Sequence, residues 1–163
     1  MKLKMKLILD IETNGFLDSL DKIHCMVFRD VDTKKVYSYN PDQINEGLEL
    51  LKKADMIIGH SVMGFDLPAI EKVTGYKYTG EILDTLLCSR LIWSNMTEVD
   101  YTKKNLPPKL IGKHSIESWG FRLGLRKGDF QENNSFDVWS KEMQDYCERD
   151  VEVTYLLYEL IKK

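Results

Sequence analysis

Leucine and isoleucine crowd residues 3–11 until the run breaks at Asp10 and Glu12, which is the pattern of a strand inside a sheet. Residues 24–29 and 35–39 carry the β-branched and aromatic side chains of two more strands, and Asp30-Val31-Asp32-Thr33-Lys34 supplies the hairpin turn between them. The spacing then lengthens. Ile44, Leu48 and Leu51 predict a helix over residues 43–53. Met56-Ile57-Ile58-Gly59 is short and apolar throughout, as a buried strand is. Residues 67–73 read as a helix with Pro68 in its first turn and Gly75 as its stop. A further helix spans residues 84–93, capped by Asp84 or Thr85. Residues 95–112, interrupted by Pro107-Pro108, read as a loop. Residues 115–123 form a helix between Ser115 as N-cap and Gly124 as stop, residues 128–134 a second loop, and residues 140–162 the last and longest helix. Three strands, then helices interleaved with another strand, predict an α/β fold: a mixed sheet covered by helices. Without repeat, low-complexity tract or linker, the 163 residues predict a single domain, 1–163.

Composition narrows the class. Apolar residues at 43% and charged residues at 30% suit a folded domain and argue against a disordered chain. No apolar run approaches the roughly 18 residues that cross a bilayer, so no membrane partner is expected. The lysines among the first six residues precede an apolar run too short for a signal peptide, which predicts a cytoplasmic protein. Cys25, Cys88 and Cys147 are sparse and far apart, as reduced thiols are, and form no zinc-site spacing with His24, His60 and His114. A net charge of −3 argues against a protein that coats nucleic acid. Residues 101–127 nevertheless hold Lys103, Lys104, Lys109, Lys113, Arg122, Arg126 and Lys127 against Glu117. Such a segment on an acidic body serves either as a phosphate-tracking surface or as an ordinary solvated face.

The chemistry lies in the acids. Asp10 and Glu12 stand two apart at a strand end, so both carboxylates share one face of the sheet, where α/β sheets place ligands. The plainer alternative is a strand end turning into solvent. Asp66 follows the apolar strand and opens a helix, where it serves equally as an N-cap. Tyr146 and Asp150, four apart on the last helix, share a face beside the stripe Met143, Cys147, Val151, Thr154 and Leu157. A carboxylate at the edge of a core needs a cation or donors to neutralise it, and Arg149 is one candidate partner.

This ordered set resembles the DEDD exonuclease superfamily in its tyrosine-bearing branch. It is similar in particular to the proofreading domain of the family A DNA polymerases of short-tailed phages. The resembling segments are Asp10-Ile-Glu-Thr-Asn14, Lys22-Ile-His-Cys25, His60-Ser-Val-Met-Gly-Phe-Asp66 with Leu-Pro-Ala69, Asp84-Thr-Leu-Leu-Cys-Ser-Arg-Leu-Ile92, Gly112-Lys-His-Ser115, Glu117-Ser-Trp-Gly-Phe-Arg-Leu-Gly124 and Asp145-Tyr-Cys-Glu-Arg-Asp150. They extend over nearly the whole chain. Two departures stand out. Ser61 occupies a place where the family usually has Asn, and no polymerase sequence follows Lys163, which suggests a free-standing exonuclease.

The resemblance implies a ribonuclease H-like mixed β-sheet flanked by α-helices and 3′→5′ hydrolysis of single-stranded DNA ends. It implies two Mg²⁺ or Mn²⁺ ions on Asp10, Glu12, Asp66 and Asp150, with Tyr146 orienting the attacking water. Thr13, Asn14, Phe16, His60, Ser61 and Phe65 are the expected substrate contacts, and Leu17 lies beside them. His60 also reads as a strand-end histidine held by a hydrogen bond, and His114 as a phosphate contact or a residue without a role. The implied partners are DNA 3′ ends and a separately encoded DNA polymerase, in the host cytoplasm if the gene is a phage's. An RNA-end trimmer or a non-catalytic module that docks on a polymerase are the competing readings.

Overall fold

The computed structural model describes residues 2–103, 106–125 and 135–163. Five strands form one mixed sheet: β1 (Lys6–Thr13), β2 (Ile23–Asp30), β3 (Val36–Tyr39), β4 (Met56–Gly59) and β5 (Glu81–Asp84). Their order across the sheet is β3-β2-β1-β4-β5. β1 pairs antiparallel with β2 and parallel with β4, and β5 adds a further parallel edge. Among the described residues the α-helices are α1 (Ile44–Lys53), α2 (Leu67–Thr74), α3 (Thr85–Ile92), α4 (Met96–Tyr101), α5 (Ile116–Arg122) and α6 (Lys141–Ile161). This is the expected α/β architecture.

Strand alternation divides the core into two layers. Leu7, Leu9 and Ile11 of β1 point to one face, where Met26, Phe28, Leu51, Ala69 and Ile70 bury them beneath α1 and α2. Ile8 points the other way, with Cys25, Val27 and Ile58, against Met143, Cys147 and Val151 of α6. Asp10 and Glu12 continue the Ile8 register. The same alternation that packs β1 thus sets its two acids under α6. Gln144 ties that helix down: its amide donates to Ser38 Oγ at 2.8 Å and to the Tyr39 carbonyl at 3.1 Å. A third cluster joins Met96 and Trp119 of α4 and α5 to Val153 and Leu157 of α6.

Several elements depart from the sequence reading. β5 was not foreseen, because its four residues sit at the sheet edge with Glu81 and Ile82 exposed, and neither period shows over so short a run. The segment expected as a loop at residues 95–112 contains α4 and a 3₁₀ turn at Pro108–Leu110. Six residues are too few for a helical period to register. The Pro107-Pro108 pair does break the helix, as expected. The predicted loop at 128–134, with Lys104, Arg126 and Lys127 of the basic segment, lies outside the described residues.

Candidate active site

The β1–β4 pairing ends at Ile8↔Ile58, and the chain after β4 turns through a single π-helical turn, Val62–Asp66, before α2 begins. Gly59 allows the tight start: a Cβ there would meet Val62 Cβ at 2.7 Å and the Leu9 carbonyl at 3.0 Å. Ser61 takes the left-handed conformation, φ 62°, which L side chains enter at a cost and Asn tolerates better. Asp84 braces the turn. Its carboxylate accepts from the Ser61 N–H at 3.0 Å, the Met63 N–H at 3.1 Å and the Leu86 N–H at 3.0 Å. The cap expected of Asp84 is therefore real, and it is one of three bonds.

Asp66 does not cap α2. It has helical backbone angles and makes no side-chain cap bond. Its Oδ2 instead accepts from the Ile11 N–H at 3.1 Å, between Asp10 and Glu12. The cap reading fails because the π-helical turn carries the side chain back over β1. α6 closes the cluster from the other side. Its Cys147 thiol lies 3.4 Å from the Asp10 carbonyl and 3.3 Å from Asp10 Oδ2, and Asp10, Glu12 and Cys147 offer ligand atoms within 4.8 Å of one another. Tyr146 and Asp150 of the same helix are buried.

The acids lie close enough to perturb one another. Burial first, then Asp150, Asp66 and Glu12, raises the Asp10 carboxyl well above its ordinary range. Burial also pushes Asp66 up to about 8, against the pull of the Ile11 N–H and with Asp84 and Asp150 adding to it. Burial, Asp150, Glu12 and Asp10 raise the Tyr146 phenol. Buried like charges of this kind are costly unless a cation neutralises them, and every acid in the set is an oxygen donor suited to a hard dication.

The remaining expected contacts divide. Glu12, Thr13, Phe16 and Phe65 border one cavity of about 420 Å³. Thr13 donates its hydroxyl to the Gly15 carbonyl at 2.8 Å. Asn14 clamps its own loop, accepting from the Asp21 and Lys22 N–H groups at 3.1 Å each and donating to Asp21 at 2.7 Å. The His60 ring bridges Thr85 Oγ1 at 2.9 Å and the His114 carbonyl at 2.7 Å, the strand-end brace foreseen as its plainer role. His114 Nδ1 lies 3.0 Å from Ser89 Oγ, and burial, with Arg122 and Arg90, lowers its pKa. Arg149 borders a different cleft, with Arg29 and Ser38.

The basic segment needs correction. Arg122 is no surface cation: it makes a bidentate, buried pair with Asp100 at 2.9 and 2.6 Å and also donates to the Lys113 carbonyl at 2.7 Å. Lys109 sits 3.7 Å from Glu117. Sequence reasoning assigned Arg122 by charge alone, and its partner lies 22 residues away. It also took Cys147 for core only. Its position directly after Tyr146 on α6 was the available signal that it borders the site.

No family model matches the sequence. In fold the chain is similar to Brucella melitensis NrnC with bound Mg²⁺, at TM-score 0.65 and 17% identity over 96% of this chain and 71% of that one. It is also similar to E. coli Exonuclease I in complex with a dT13 oligonucleotide, at TM-score 0.67 and 14% identity over 99% of this chain and 41% of that one. The fold and the sequence relatives support the resemblance to the DEDD exonucleases read from the sequence. The sequence relatives are the DNA-directed DNA polymerases of Escherichia phage T7 and Enterobacteria phage T3, each 32% identical over 182 aligned positions. The alignments cover 94% of this chain and 26% of each polymerase, so the chain spans about a quarter of these relatives' length.

Proposed function

We propose that the chain is a metal-dependent 3′→5′ exonuclease that removes nucleotides from the 3′ ends of single-stranded DNA. One observation carries this reading: β1, a π-helical turn and α6 deliver half-buried Asp10 and Glu12 and buried Asp66, Asp150 and Tyr146 to one cluster. The donor set suits two Mg²⁺ or Mn²⁺ ions. Asp10, Glu12, Asp66 and Asp150 would hold them. Bound there, the ions supply positive charge at the attacking and leaving oxygens of a phosphodiester and lower the pKa of the attacking water.

The protein's own groups position the reactants. Glu12 also borders the cavity and would meet the terminal 3′-hydroxyl, while Phe16 and Phe65 would stack on terminal bases. The Tyr146 phenol, with its pKa raised, stays protonated at neutral pH. It therefore orients the water by a hydrogen bond and does not take its proton.

The dT13 complex of Exonuclease I and the phage polymerase relatives support DNA as the substrate. The polymerase relatives also favour a role in proofreading beside a DNA polymerase, in a host cytoplasm. No helix among the described residues is long and apolar enough to cross a membrane. A short-oligonucleotide or RNA substrate is the second reading, favoured by the fold's likeness to NrnC bound to pGG, at TM-score 0.63. The test is a 5′-labelled primer with a 3′ mismatch on a template, alongside DNA and RNA single strands of equal length. The mismatched primer and the DNA strand should shorten stepwise with Mg²⁺ and not without it. Faster loss of the RNA strand would favour the second reading.

A further inference from the structure

The cavity beside Glu12 has a wall that the acids do not explain. Phe16, four-fifths exposed, and Phe65 border it from the loop after β1 and from the π-helical turn. Phe136, from residues 135–140 before α6, borders it too. Three aromatic residues therefore line a space of about 420 Å³. Phe136 belongs to no regular element; its side chain packs against the Ile8 and Cys147 cluster, and His24 holds its backbone. His24 is the second residue of β2, at 1% exposure, and its Nε2 is 2.7 Å from the Phe136 carbonyl oxygen. A carbonyl only accepts, so Nε2 carries the proton and donates. A buried imidazole in a strand needs a partner, and this one spends its donor on anchoring the segment that bears the ring.

We propose that Phe136 is the third wall of a slot that grips the terminal base of a single strand, and that His24 is the residue positioning it. The proposal rests on the exonuclease reading for its substrate. A slot of three rings with few polar groups takes any unpaired base by its face and reads none by its edge. A paired base must first unpair and unstack to enter, so the slot selects frayed or single-stranded ends. Phe136 touches the base, whereas His24 acts only through Phe136.

The experiment measures binding apart from cleavage. Strands carrying 2-aminopurine as the 3′-terminal base report stacking by fluorescence quenching, and strands ending in an abasic site have no base to stack. With Ca²⁺ as the cation, wild-type protein should quench the probe. Phe136→Ala should weaken affinity for the base-bearing strand by about tenfold and for the abasic strand little. His24→Ala should give the same split, and His24→Gln, which keeps a donor, should recover part of the loss. Equal losses on both strands, or none, would overturn the slot. A His24→Ala variant that is folded by circular dichroism yet binds like wild type would overturn the positioning role. If His24→Ala does not fold, the Gln variant and Phe136→Ala decide alone. Quenching without any Mg²⁺-dependent cleavage would sink the exonuclease reading and leave the slot standing. Cleavage with unaltered quenching in Phe136→Ala would do the reverse.

Discussion

At the scale of single residues, position matters more than identity. In the proposed mechanism Tyr146 serves by staying protonated, because burial, with Asp150 and Glu12 beside it, raises its pKa. Tyr146→Phe should slow cleavage on the order of 10²-fold, the cost of losing orientation, while leaving metal affinity unchanged. Single-turnover rates and Mn²⁺ titration would check both halves, and an unchanged rate would remove the water-orienting role. Ser61 is the opposite case, a residue poorly matched to its backbone. Its φ of 62° favours Asn. Ser61→Asn should stabilise the protein by up to about 1 kcal/mol in urea denaturation. No gain would mean that the turn, held by Asp84, already absorbs the strain.

At the scale of elements, the sequence made legible whatever depends on local period. Asp10 and Glu12 share a face because strands alternate, and Tyr146 and Asp150 share one because helices repeat near four. Gly75 takes φ 79° just where the stop was expected. The illegible parts are those fixed by contacts across the chain. Asp66 meets Ile11 over 55 residues, and His24 meets Phe136 over 112. Asp84 clasps the π-helical turn 21 and 23 residues before it, and no local pattern announces this. Arg122 shows how charge counting goes astray, since a buried pair and a surface cation look alike in sequence. That pair locks α5 to α4. Arg122→Ala should cost about 3–5 kcal/mol by leaving Asp100 buried and uncompensated. Burial pushes the Asp100 carboxyl up, but Arg122 and the Gly112 N–H outweigh it and the net shift is downward. A depressed carboxyl contributes stability above its ordinary pKa and loses it as pH falls through the lowered value. Arg122→Ala should therefore flatten the acid limb of the stability profile, and an unchanged limb would contradict the pairing.

At the scale of the whole molecule, a two-layered core holds a sheet end at which acids from distant segments converge. Such a cluster works against the fold until a cation enters. Asp66 has its carboxyl at about 8 when folded, against an ordinary 3.8, so the folded state keeps a proton that the unfolded chain releases. The resulting stability is present below about 4 and is lost as pH rises through about 8. In chelator, the melting temperature should fall across that interval, and Mg²⁺ should raise it more at pH 8 than at pH 5. An equal effect at both values would argue that the cation binds elsewhere. Cleavage by the wild type and by Asp10→Ala on a 5′-labelled single strand, each with and without Mg²⁺, tests the site most directly. The wild type with Mg²⁺ should give a ladder shortening from the 3′ end, and Asp10→Ala should give none while keeping its fold by circular dichroism. Retained activity in folded Asp10→Ala, or wild-type shortening that persists in chelator, would contradict the carboxylate site.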